Sequence, residues 1–203
     1  MRLKKLVLIL AVFALIAALA ACGSPGDSAN APAAPEQEEQ RAEPSGDEPQ
    51  EEEAPAAEVP DDTALKLTVP KMANLKDDNV PYTTGDDEAA LKDNAGIHLD
   101  GTGFPWEQEA NVYIAGHRLG YPNTDSFLAF WDLDKLQIGD EVILTDADGT
   151  RYTYSVFTNF VVGPYDYQVT EPVPGKNIVS LQTCTLPDYA DRLVVQAELV
   201  SVA

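Results

Sequence analysis

Ser180-Leu181-Gln182-Thr183-Cys184-Thr185 is the stretch on which the reading of this chain turns. Residues 178–183 read as a strand that ends in a cysteine. Pro187-Asp188 marks a turn, and Asp191-Arg192-Leu193-Val194-Val195 opens the next strand-like run. Two strands joined by so short a turn form an antiparallel pair, so Cys184 and Arg192, eight positions apart, are expected side by side. A third strand-like run, Val112-Tyr113-Ile114-Ala115, leads through Gly116 to His117. Local pairing cannot place that histidine, because it lies 67 residues upstream of the cysteine.

Working outward, the rest of residues 64–203 shows mostly two-residue periodicity. Leu65-Lys66-Leu67-Thr68-Val69-Pro70 alternates, and Glu141-Val142-Ile143-Leu144 and Tyr152-Thr153-Tyr154-Ser155-Val156-Phe157 flank Asp146-Ala147-Asp148-Gly149, a hairpin signal. Residues 159–162 and 193–202 are further strand candidates. Residues 88–92 and 127–133 are the two helix candidates. Many strands at short spacing with few helical turns point to a mainly β domain, a barrel or sandwich. Its 140 residues are enough to bury roughly two thirds of the unfolded surface.

The first 63 residues follow different rules. Arg2, Lys4 and Lys5 precede an apolar run over residues 6–21, the grammar of a secretory signal. That run has 16 residues, short of the roughly 20 a spanning helix needs. Leu19-Ala20-Ala21-Cys22 resembles a bacterial lipobox, which implies cleavage before Cys22 and a lipid on its thiol; the competing reading is an ordinary signal with an incidental cysteine. Residues 22–63 hold 13 acidic residues against Arg41, no aromatic residue, and Val59 as the only large aliphatic. Such a segment cannot form a core and reads as a solvated tether, with a coil span of about 35 to 40 Å before charge repulsion lengthens it. The expected organisation is therefore a signal over 1–21, a tether over 22–63 and a folded domain over 64–203.

Charge excludes one class of partner. The formal net charge of −21 divides into +3 for the signal, −12 for the tether and −12 for the domain. Nucleic acid needs clustered basic residues, so it is not an expected partner, and direct adhesion to anionic lipid is disfavoured for the same reason. With Cys22 assigned to lipid, Cys184 has no intramolecular partner in an exported, disulfide-permissive setting. It is then either a buried, inert small hydrophobe or a thiol kept for its reactivity. A free thiol is only a few per cent ionised at neutral pH unless a nearby cation helps. An imidazole can both take and give a proton near neutrality, whereas an arginine can only donate hydrogen bonds and positive charge. His117 and Arg192 could therefore divide the work between proton transfer and oxyanion support.

Four linked strings carry a family resemblance: Asn111-Val112-Tyr113-Ile114-Ala115-Gly116-His117-Arg118, Leu133-Asp134-Lys135-Leu136-Gln137-Ile138-Gly139-Asp140-Glu141-Val142, Leu181-Gln182-Thr183-Cys184, and Arg192-Leu193-Val194-Val195-Gln196-Ala197-Glu198-Leu199. In this order they resemble a sortase, most like class E or class D. The resemblance implies a closed eight-stranded barrel and a cysteine transpeptidase; the signal and the lipid on Cys22 are expected to anchor it at the extracytoplasmic face of the cell membrane. Its substrates would be proteins with a C-terminal sorting signal of the Leu-Pro-x-Thr-Gly type, cut between Thr and Gly. The acceptor would be an amine, of a cell-wall peptide or a pilin lysine. Carried over by position, Cys184 is the nucleophile, His117 the proton donor and acceptor, and Arg192 the stabiliser of substrate and oxyanion. Thr183, Gly116 and Ala115 support the site. Many members have Thr where this chain has Ser180, a departure expected to be of little consequence.

No cofactor is called for. Some sortases use calcium held by loop carboxylates, but Asp166 and Glu171 alone make no ligand pattern. His98, in Gly96-Ile97-His98-Leu99, reads as structural, since one imidazole suffices for the chemistry. An L,D-transpeptidase also runs His before Cys, but normally with Ser-x-Gly-Cys, which Gln182-Thr183-Cys184 does not offer. A papain-like hydrolase runs Cys before His. A lipid-anchored binding module with an inert sortase barrel is the non-enzymatic alternative.

Overall fold

A computed structural model describes residues 59–203; the signal segment, Cys22 and the tether up to residue 58 lie outside it. Nine strands form one sheet. They are β1 (Leu65–Thr68), β2 (Asp78–Val80), β3 (Tyr82–Thr83), β4 (Ile97–Leu99), β5 (Ala110–Ala115), β6 (Glu141–Thr145), β7 (Arg151–Val162), β8 (Asn177–Cys184) and β9 (Arg192–Val202). Their order is β2-β1-β6-β7-β9-β8-β5-β4-β3. The two outer strands of that order are consecutive in the chain, separated only by Pro81. One segment thus pairs antiparallel with β1 on one side and parallel with β4 on the other, and so brings the sheet round into a barrel. Proline has no N–H to donate, which splits the segment into β2 and β3, while its carbonyl still accepts from the His98 N–H at 2.9 Å. The expected eight-stranded barrel is met in this form, with nine hydrogen-bonded pieces because of one proline.

Several expectations are corrected. Residues 152–157 and 159–162 belong to a single long strand, β7, whose register against β9 shifts between Val156 and Thr158. A bulge there bends the strand without ending it. Strands β2, β3 and β4 have two or three residues each, too short for periodicity to reveal. Over the expected helix 127–133, residues 127–132 form a chain of turns, and a short 3₁₀ helix begins only at Leu133, over Leu133–Lys135. Leu128 adopts φ of 57°, in the left-handed region that breaks a helix. The other candidate is a helix as expected: α1 (Glu88–Asp93), whose N-cap Asp87 accepts from the Ala90 N–H at 3.0 Å.

The hairpin signal is met residue by residue. Asp146 Oδ1 accepts from the N–H groups of Asp148 and Thr150, and Gly149 takes φ of 90° to close the turn between β6 and β7. Alternation then sends Tyr152, Tyr154 and Val156 of β7 inward with Val142 and Leu144 of β6, Val112 and Ile114 of β5, Val179 and Leu181 of β8, and Val195 and Ala197 of β9. Burial of this set is the main source of stability, and the tyrosine hydroxyls keep partners inside it. Tyr152 donates to Asp146 and Tyr154 to Asn177. Burial raises the pKa of both phenols, so they stay protonated donors.

Candidate active site

The site follows from how β5, β8 and β9 lie beside one another. β8 and β9 are antiparallel, and the last pair of their register is Cys184 opposite Arg192, as the eight-residue spacing predicts. β5 and β8 are parallel, with Ala115 opposite Gln182. Parallel strands end on the same side of the sheet, so the residues that follow β5, Gly116 and His117, arrive beside the end of β8, where Cys184 sits. Two hydrogen bonds continue the ladder past Ala115: the Gly116 N–H donates to the Gln182 carbonyl at 3.0 Å, and the Thr183 hydroxyl to the Gly116 carbonyl at 2.8 Å. Thr183 is buried, so this bond fixes the strand carrying the cysteine to the one carrying the histidine.

Glycine is required between Ala115 and His117 by contact. A Cβ on Gly116 would lie 2.5 Å from a ring carbon of Phe130 and 2.8 Å from the Ala95 carbonyl oxygen. The next residue, Arg118, is 6 % exposed; its guanidinium donates to Asp134 at 2.8 Å and lies over Trp131 at 5.7 Å. The Asp134 of the second sequence string thus anchors the first. Between these two fixed neighbours, His117 is half-buried with its ring edge-on to Tyr121 at 5.5 Å. Its Nε2 is shielded from solvent and has no hydrogen-bond partner among the described residues. Buried polar atoms are normally satisfied by the fold, and this one is not.

Arg192 is positioned by the β8–β9 turn. The Thr185 and Asp191 backbones bond to each other, and Nη1 of Arg192 donates to the carbonyls of Tyr189 (3.3 Å) and Asp191 (3.2 Å). Cys184 carries a free, partly exposed thiol. Cys184, His117 and Arg192 all border one cavity of about 290 Å³. Its walls are apolar, from Leu91 of α1, Ile97 and Leu99 of β4, and Val162, Pro164 and Val169 at and beyond the end of β7. Apolar walls with a few polar side chains among them are the usual make-up of a ligand-binding cavity.

Of the supporting residues, Ala115 and Gly116 line the cavity, whereas Thr183 acts from behind through its bond to Gly116. Sequence reasoning missed Tyr113 and Gln182, which also line it. The Tyr113 hydroxyl donates to Gln182 Oε1 at 2.8 Å, and burial raises the phenol's pKa against the opposing effect of the Arg192 charge. The two-residue alternation that puts Val112 and Ile114 inside the barrel was the available signal. Asp166 is engaged in its own loop, accepting from the Gly163 N–H at 2.7 Å. Among the described residues no three His, Cys, Asp or Glu side chains converge.

The sortase domain family matches residues 67–200. This chain belongs to the sortase family. Its barrel superposes on sortase C1 from Streptococcus agalactiae with a TM-score of 0.57 and 29 % identity, over 66 % of each chain. On sortase E from Streptomyces avermitilis the TM-score is 0.57 at 31 % identity, over 70 % of this chain and 89 % of that one. A sortase D5 transpeptidase from Clostridium perfringens gives 0.56 at 28 % identity, over 69 % and 80 %. Among curated proteins, Sortase A of Streptococcus agalactiae is 34 % identical over 89 residues, which is 44 % of this chain and only 36 % of that relative. Near-equal similarity to classes C, D and E shows the sortase barrel without selecting a class.

Proposed function

We propose that this chain is a cysteine transpeptidase acting outside the cytoplasm on proteins with a Leu-Pro-x-Thr-Gly type sorting signal. The observation that carries the reading is that Cys184, His117 and Arg192, brought in by β8, the end of β5 and β9 of a sortase barrel, border one cavity with apolar walls. In the first half-reaction the Cys184 thiolate attacks the Thr carbonyl carbon, forming a C–S bond and a tetrahedral oxyanion. Arg192 donates hydrogen bonds and charge to that oxygen. The Thr–Gly C–N bond then breaks, His117 passes a proton to the departing amine, and a thioester remains on Cys184. In the second half-reaction an acceptor amine attacks the thioester carbonyl and gives its proton to His117. The C–S bond breaks, and the thiolate is regenerated with a new amide formed.

The acceptor is a cell-wall peptide amine or a pilin lysine. Lipid on Cys22 and the acidic tether would hold the domain off the outer face of the membrane, in the position such substrates occupy. The Gly116-His117-Arg118 and Thr183-Cys184-Thr185 strings support a class E or class D assignment. The test is a screen of sorting-motif peptides against candidate amines, read by mass spectrometry. An acyl adduct on Cys184 that is discharged by an amine is the expected result. No adduct with any peptide, together with a Cys184 that resists alkylation, would leave only a binding module.

A further inference from the structure

Beside the groove, on the same face of the sheet, lies a buried polar relay that the reaction does not use. Asn111 of β5 and Ser180 of β8 are 0 % exposed, and Gln196 of β9 is 8 % exposed. All three project from the outer face of the barrel, on the side opposite Val112, Leu181 and Val195. Gln196 Nε2 donates to Ser180 Oγ at 3.1 Å, and Ser180 Oγ donates to Asn111 Oδ1 at 2.7 Å. Asn111 Nδ2 donates to the carbonyls of Val169 at 2.9 Å and Glu171 at 3.1 Å. The direction is forced, because those carbonyls can only accept. The Asn111 amide nitrogen must therefore face them, its oxygen must take the Ser180 proton, and the serine oxygen is left to accept from Gln196.

The two carbonyls belong to the β7–β8 connection, residues 163–176, which supplies Pro164, Tyr167 and Val169 to the cavity wall. Its C-terminal end is held by the Ala110 N–H on the Lys176 carbonyl and by the Gly175 N–H on Glu109. Over residues 163–174, every other hydrogen bond among the described residues is internal to the connection. The Asn111 amide is thus the one polar tie between the barrel and the middle of this wall.

We propose that Asn111 and Ser180 are positioning residues that set the width of the groove, holding the wall formed by the β7–β8 connection at a fixed distance from β5 and β8. The proposal rests on reading the cavity as the sorting-peptide groove. It also gives Ser180 a role, contrary to its expected unimportance: a hydroxyl is needed there, and threonine would supply the same one.

The experiment compares the full chain with Asn111→Ala, Ser180→Ala and Ser180→Thr, using the peptide turned over best in the screen above. KM is expected to rise about tenfold in Asn111→Ala and several-fold in Ser180→Ala, with kcat within about twofold, since each change removes or unpairs a buried hydrogen bond. Ser180→Thr should restore the wild-type KM. Iodoacetamide should alkylate Cys184 with an unchanged rate and pH profile in all variants. Amide hydrogen exchange should accelerate over residues 163–173 while the amides of β5, β8 and β9 stay protected. Unchanged exchange in that segment overturns the proposal. So does equal acceleration throughout the barrel, or a loss confined to kcat. If the wild type turns over no peptide, the transpeptidase reading fails, and exchange alone still decides whether the relay holds the wall.

Discussion

The chain's two histidines lie on either side of β5, and their surroundings are opposite. His98, in β4, is 0 % exposed; its Nε2 donates to the Gly103 carbonyl at 3.0 Å, and its ring packs against Tyr82 and Phe104, each at 4.8 Å. Protonating Nδ1 would bury a charge with no acceptor, since that atom has no partner, and burial accordingly pushes the His98 pKa down to about 4. His117 sits at the groove with an unpartnered Nε2 and an aromatic edge as its near neighbour. The difference lies in the environment. One imidazole has its proton fixed by a carbonyl and serves the fold, and the other has a ring nitrogen left over for a ligand.

That contrast can be broken most decisively on the His117 side. Cys184→Ala should abolish acyl transfer while circular dichroism and melting temperature stay near wild type; retained turnover would sink the mechanism. His117→Ala should lower kcat/KM by about 10² to 10⁴-fold, the range for removing a general acid–base. A loss no larger than that of His98→Gln would erase the distinction drawn here. Arg192→Lys should cost about ten- to a hundredfold in kcat/KM, because a point charge cannot reproduce a forked donor at a developing oxyanion.

On the His98 side the expected effects are on stability. The folded-state pKa of about 4 lies below the ordinary value of 6.5, so the unfolded chain binds this proton first as pH falls. The contribution is fully present above pH 6.5 and is lost as pH drops towards 4. It amounts to about 3 kcal/mol for a fully buried group. His98→Gln should flatten that part of the urea-midpoint profile and leave turnover at neutral pH unchanged. Smallest is Gly116→Ala. Its methyl must displace the Phe130 ring, and overpacking of this kind costs about 1–3 kcal/mol. A melting temperature equal to wild type would mean that the Ala115–His117 backbone is not held as described.

Much of this was legible in the chain because it depends on neighbours in sequence. The β6–β7 hairpin follows from Asp146 and Gly149, and the inward set of β7 follows from alternation at Tyr152, Tyr154 and Val156. The turn that replaces a helix at residues 127–133 was hidden because its apolar spacing looks helical. Only the left-handed backbone of Leu128 reveals the break. Strands as short as β3 were hidden for another reason: they are defined by what they pair with, and Tyr82–Thr83 carries no period of its own.

The sequence by itself determined that the domain is a mainly β sortase barrel and that Cys184 and Arg192 face each other, since an eight-residue step through a turn leaves an antiparallel pair little choice. Only the tertiary structure decided that His117 joins them. That depends on β5 lying parallel to β8 in a register 67 residues apart, and no local signal encodes a pairing between strands so distant in the chain. The same pairing brings Asn111 beside Ser180. A buried hydroxyl there reads in sequence as an ordinary strand serine, and in the fold it becomes a link to the groove wall.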